Sequence, residues 1–359
     1  MGDEKMKKKF CFVVLMVLAA SISLFASGAK ESAAVEAEKD LITVAVVLPS
    51  PLGDRSFCDS AAIGVERANK ELPVKVDLIE TQGVHEHETA MRSAINKGYD
   101  LILGVGLDTQ MMLDLATEYP EQLFGSPSEL FAEKLPSNLA SLLINVNKSS
   151  FLAGVVSGML TKTDKVGVVC GGDAPGINQF YYGFKQGVLA VNPECKVYVN
   201  YLGFDFSNPT LGKESAIALY DEGCDILYQV CGLSGEGVLA AAAERNLFAI
   251  GVDNVQDGFY PGHIITSVIK RVDNSTYDLI KEYVQGTFQG GFRTLDMEDG
   301  ATGLSWDTGV TTFADKGPSD MVAKLPEIQK VAADYRAKIL SGEYKVYDAL
   351  TEPLWESLK

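Results

Sequence analysis

From Leu41 onward the chain alternates short β-branched runs with amphipathic stretches, and that alternation limits the folds open to it. The apolar runs are "LITVAVVLP", "VKVDLIET", "DLILGVG", "LASLLIN", "KVGVVCGG", "KVYVNYLG", "DILYQVCG", "LFAIGVD" and "HIITSVIK". Helical patterns fall between most of them, at 60–72, 88–97, 150–160, 180–191, 213–222 and 235–245. Strands alternating with helices predict α/β architecture with parallel sheets covered on both faces. The runs agree, because a strand buried on both faces loses its period of two. In 359 residues, nine such strands predict two lobes, the second restarting at "KVGVVCGG" much as the first begins at "ITVAVVLP". The expected N-terminal lobe is 41–145 with 256–290, and the C-terminal lobe is 146–255 with 291–359. Crossovers are then expected near Asn145, after Asp253 and near Gly290. Each lobe would present its strand ends to a shared crevice, as in a protein that closes on a ligand.

The N-terminus and the charge balance narrow the function. Lys7, Lys8 and Lys9 precede an uncharged run from Phe10 to Ala26, followed by "ASGA". This tripartite form predicts an export signal over 1–29, the run being short for the roughly 20 residues of a membrane span. The polar segment 30–40 reads as a tether. The folded part is therefore expected in the periplasm, held at the inner membrane if the signal stays uncleaved. Cys11 stands at the start of the apolar run rather than its end, so lipidation is not expected. Cys58, Cys170, Cys195, Cys224 and Cys231 form no C-x-x-C pair and read as core residues. A net charge of −17 excludes nucleic acid, since a phosphate backbone needs clustered cations.

No catalytic set emerges. The histidines are His85, His87 and His263, and no nucleophile elbow is present. "HEHE" matches no zinc spacing and reads as the start of a solvated helix. "GGDAPG" and "GLSGEG" are strand-to-helix glycine turns without a Walker or dinucleotide pattern. Neither an enzyme nor a metal or cofactor is expected. What gathers at the predicted strand ends is aromatic and polar. Phe57 follows the first strand in "LGDRSF", and "INQFYYGF" follows the strand ending at Cys170. Gly232 opens "GLSGEG", Asp253 ends "LFAIGVD" and Lys270 ends "HIITSVIK". Flat walls with hydrogen-bonding groups suit a small heteroaromatic ligand bearing hydroxyls.

The ordered blocks "SFLAGVVSGMLTKTDKVGVVCGGDAPGINQFYYGFKQGV", "NPTLGKESAIALYDEGCDILYQVCG", "AIGVDNVQD" and "SVIKRVD" carry a resemblance over roughly 42–290. The chain resembles the basic membrane protein family, the exported nucleoside receptors of bacterial ABC importers. The resemblance implies a type I periplasmic binding protein, two doubly wound parallel-sheet lobes around a ligand cleft. It also implies an inner-membrane permease as partner, and a monomer is expected. In the family two phenylalanines sandwich the base. "GDRSF" puts Phe57 in the first role with Asp54 and Ser56 beside it, and "NQF" puts Phe180 in the second with Asn178 and Tyr182 as neighbours. The family's ribose-binding aspartate and lysine match Asp253 and Lys270. Its aspartate after the third strand falls on Asp108 or Gln110 in "GVGLDTQMM". Pro49, Gly53 and Cys58 stand where the family has Asp, Asn and Asn, so groups that read a purine edge are lost or moved. The departure favours a larger flat ring carrying a polyol, and the sequence is similar to the family's spirochaetal riboflavin-binding branch. The expected ligand is riboflavin. A purine nucleoside is the alternative, and an exported adhesin is the alternative from another class.

Overall fold

A computed structural model describes residues 41–359; the expected signal and tether, 1–40, lie outside the described residues. The first sheet begins with β1 (Ile42–Val47), β2 (Val74–Ile79), β3 (Leu101–Gly104), β4 (Leu123–Ser126) and β5 (Leu139–Ile144). Helices α1 (Phe57–Glu71), α2 (Val84–Lys97) and α3 (Thr109–Glu118) alternate with them. After β5 the chain crosses over and builds a second sheet from β6 (Lys165–Cys170), β7 (Lys196–Tyr201), β8 (Ile226–Val230), β9 (Phe248–Asp253) and β10 (Ile264–Lys270). Its helices are α4 (Asn147–Leu160), α5 (Pro175–Val191), α6 (Pro209–Asp221) and α7 (Ser234–Glu244). Helix α8 (Val272–Val284) and strand β11 (Gly291–Leu295) return to the first lobe; β12 (Thr302–Leu304) and α9 (Leu325–Leu340) belong to the second.

The strand orders are β11-β5-β4-β3-β1-β2 and β12-β10-β9-β8-β6-β7, parallel throughout except for antiparallel β12. Val44 to Val47, Leu101 to Leu103 and all of β9 and β10 are buried, as strands with helices on both faces must be. Helix starts are fixed by local chemistry. The Asp108 and Asn208 side chains accept the amides of Met111 and Leu211, and Pro209 opens α6 with its φ already suited. The five described cysteines are buried and free.

The lobe boundaries differ from those expected. Residues 256–270 stay in the second lobe, because β10 pairs with β9 rather than with any strand of the first sheet. The crossover falls at Arg271. Helix α8 then packs on α1, with the Asp273 amide donating to Ser60 Oγ at 3.1 Å and Tyr277 donating to Glu71 at 3.0 Å. The last crossover follows β11, which pairs with β5, so 291–295 belong to the first lobe. Nothing in the apolar run "HIITSVIK" distinguishes a strand of one sheet from a strand of the other.

Candidate functional site

The carboxyl ends of the strands in both sheets face each other and enclose a cavity of about 660 Å³. Open parallel sheets leave their crevice at that edge. Phe57 is the first residue of α1 and lies half-buried with its ring against Gly106. A Cβ there would sit 2.8 Å from the ring, and Gly106 has φ +59, so the turn after β3 needs glycine on both counts. Phe180 approaches from α5 and is 2 % exposed. The Lys270 ammonium lies 5.1 Å from the Phe57 centroid and 5.5 Å from that of Phe180, a cation held by two ring faces. Its ion-pair partner is Glu129, from the loop after β4.

Asp253 leaves β9 beside Lys270 because β9 and β10 run in parallel with Ile269 opposite Asp253. Its φ of +63 is uncommon for a residue with a side chain. Ser56 Oγ, from the other lobe, donates to its carboxylate at 2.5 Å. Burial pushes the Asp253 carboxyl up to about 6, against the pull of Lys270 and the Ser56 bond. Further contacts join the lobes beside it. Asn254 donates to the Ser56 carbonyl at 2.9 Å and Gln256 to the Arg55 carbonyl at 3.3 Å. The Arg55 guanidinium lies 3.5 Å from Glu236 and 5.0 Å from the Phe259 centroid. The cleft is closed along this side.

Phe57, Asp108, Phe180, Gly232 and Asp253 line the cavity, and Ser56 and Lys270 lie against its lining residues. Asp54 also reaches it, but its oxygens accept the amides of Ser56, Cys58 and Asp59 at 2.9, 2.8 and 3.0 Å. It is a helix cap, and burial raises its carboxyl. Three expected residues face elsewhere. Gln110 is exposed on α3 and bonds Asp114. Asn178 bonds Asp173 and Tyr201, and Tyr182 packs edge-on against Tyr347 of the C-terminal segment. On α5 the cavity is lined by Pro175, Gly176, Ile177 and Phe180, and helical periodicity turns 178 and 182 away from that face.

The sequence reading passed over Glu129, Phe131, Phe204 and Phe206 and took His87 as part of a solvated helix, yet all five line the cavity. "HEHE" divides: His85 is exposed, while His87 is buried with Nε2 3.0 Å from the Pro49 carbonyl. Phe204 and Phe206 follow β7 in "LGFDF", the same signal of aromatics after a strand that marked Phe57. A Cβ on Gly171 would lie 2.1 Å from the Phe206 ring and one on Gly172 2.5 Å from that of Phe204. The glycines of "GGDAPG" therefore seat two aromatic rings. Among the described residues no group of three His, Cys, Asp or Glu side chains is placed to hold a metal ion.

Comparison with known proteins places this geometry. The Bmp family profile, described as ABC transporter substrate-binding protein PnrA-like, matches residues 41–349. The "CD4+ T-cell-stimulating antigen" of Listeria innocua is 29% identical across 95% of this chain and 98% of its own. The "ABC transporter nucleoside-binding protein BmpA" of Lactococcus lactis is 28% identical across 88% of this chain and 97% of its own. The crystal structure of an ABC transporter solute-binding protein from Aeropyrum pernix superposes with a TM-score of 0.76, at 30% identity, covering 86% of this chain and 93% of that one. The chain is a non-enzymatic solute binder of the type I periplasmic fold, working outside the cytoplasmic membrane with a permease. It belongs to the Bmp family of PnrA-like ABC transporter substrate-binding proteins.

Proposed function

We propose that this chain binds riboflavin, with the isoalloxazine between Phe57 and Phe180 and the ribityl hydroxyls at Asp253 and Lys270. The observation that carries the reading is the character of the first-lobe wall. Its apolar part is formed by Pro49, Cys58, Leu107 and Phe131, set beside the polar Gln82, Asp108, Thr109 and Glu129. The Cys58 thiol is taken up by Ser50 Oγ at 3.2 Å, and His87 Nε2 by the Pro49 carbonyl. A purine presents donors and acceptors around its edge, whereas an isoalloxazine has a dimethylbenzenoid end that asks only for apolar contact. The cavity of about 660 Å³ leaves room for the larger ring. The Asp253 carboxylate accepts hydroxyl hydrogens, and the Lys270 ammonium donates to the same oxygens.

Export by residues 1–29, a tether over 30–40 and a periplasmic monomer complete this reading. A purine nucleoside is the second reading, favoured by the name of the Lactococcus lactis relative. Riboflavin fluorescence quenching and calorimetry on protein stripped of ligand, alongside guanosine and inosine, separate the two. Saturable quenching with weaker nucleoside binding supports riboflavin. Tight nucleoside binding without quenching overturns it.

A further inference from the structure

Glu129 occupies a place suited to an anion. One oxygen pairs with Lys270, and a Cβ on Gly176 would lie 3.7 Å from the other, Oε2. Gly176 is in the first turn of α5, the positive end of a 17-residue helix. An ammonium beside a helix N-terminus is what recruits phosphate. Here the protein's own carboxylate fills that place. The remaining wall offers no substitute. Asp54, Asp108, Glu129 and Asp253 line the cavity, and among the described residues no lysine or arginine does. Arg55, in the adjoining loop, is turned to Glu236 of the other lobe.

We propose that Glu129 is a specificity-determining residue, which makes the cleft accept an uncharged ring-bearing polyol and reject its phosphate ester. The proposal rests on the ligand class argued above. A phosphate monoester brings about −1.5 to −2 charges at neutral pH. It would face carboxylates in a partly enclosed space, with the one nearby ammonium already compensated. Glu129→Gln keeps the side chain's length and a carbonyl acceptor for Lys270, and removes the charge. Lys270 and the α5 terminus are then free to attract an anion.

The test uses two ligand pairs, riboflavin with riboflavin 5′-phosphate and inosine with inosine 5′-monophosphate. Each is titrated by calorimetry at pH 7.5 into ligand-free wild type and Glu129→Gln. Wild type should prefer the uncharged member of the pair it binds by about a hundredfold or more. Glu129→Gln should narrow that preference about tenfold, mainly by gaining affinity for the ester, and added salt should weaken the gain. A wild-type preference below about threefold, or a ratio unchanged in the variant, overturns the proposal. Binding of the inosine pair alone overturns the riboflavin reading while the ratio still tests Glu129. Binding of neither pair overturns both. Glu129 is partly exposed, and Glu129→Ala, which also removes the charge, is the second variant should the glutamine protein fail to fold.

Discussion

Asp253→Asn should have two opposed effects, stabilising the empty protein near neutral pH while weakening its hold on ligand. The side chains match in shape, and asparagine tolerates the φ of +63 that this position requires. The oxygen accepting from Ser56 is kept. What disappears is a buried negative charge, whose burial raises the carboxyl from 3.8 to about 6. A raised carboxyl contributes stability while it is protonated. That contribution is complete below about pH 3.8 and is lost as the pH climbs through about 6. A difference of this size corresponds to about 3 kcal/mol at most. Ligand-free Asp253→Asn should therefore exceed wild type by about 1–3 kcal/mol at pH 8, with the gap closing toward pH 4. Asp54 and Asp257, also raised by burial, are common to both proteins, so the difference between the profiles isolates Asp253. Urea unfolding from pH 4 to 8 measures it. Calorimetry with riboflavin should show binding weaker by about 1.5–3 kcal/mol, roughly ten- to a hundredfold. A stability gap independent of pH, or wild-type affinity in the folded variant, would refute the reasoning.

Phe57→Ala should weaken riboflavin binding at least about tenfold and leave most of the quenching lost, since stacking and ring burial together exceed about 1.4 kcal/mol. Unchanged affinity would make Phe57 a packing residue. Gly106→Ala should act through the same ring, because its Cβ would lie 2.8 Å from it on a left-handed backbone; about 1 kcal/mol of stability and a similar share of affinity should go. Equal unfolding midpoints and equal affinities would count against that contact. Small-angle scattering of stripped protein should show a smaller radius with saturating riboflavin, since ligand favours closure only through contacts missing in the open form. An unchanged radius would mean that the closed contacts hold without it.

The two-sheet architecture was legible because β1, β6, β8 and β9 are long apolar runs whose type does not depend on their partners. Three strands were not. β4 offers only Leu123 and Phe124 before Gly125 and Ser126, β12 has three residues, and β11 is an edge strand with Arg293 and Thr294 exposed, so none of them makes an apolar run. Missing β4 hid Glu129, whose place at the cleft follows only from the end of that strand. Asp253, which ends β9, and Phe57, which opens α1 after the loop from β1, were legible by position. Those on helices depended on a helical phase that begins at Pro175, which is why Phe180 reaches the cavity while Asn178 and Tyr182 turn aside. The lobe assignment of β10 was not legible at all, being decided by pairing.

The charged groups of the site already have partners within the protein. Asp253 has Ser56, Lys270 has Glu129, Asp54 has three amides, and His87 has the Pro49 carbonyl. A ligand hydroxyl at Asp253 shares that carboxylate with Ser56, and a hydrogen bond to a charged group contributes about 1.5–3 kcal/mol. The rings have no such competition. A flat ligand system covering roughly 200 Å² of apolar surface between Phe57, Phe180 and the aromatic rim gains about 5 kcal/mol. In the proposed reading the rings supply the larger share of affinity, and the groups around them the choice of ligand. Pro49 and Cys58 line the first-lobe side of the cavity, where a change of side chain would bear on which ring fits more than on how tightly one is held.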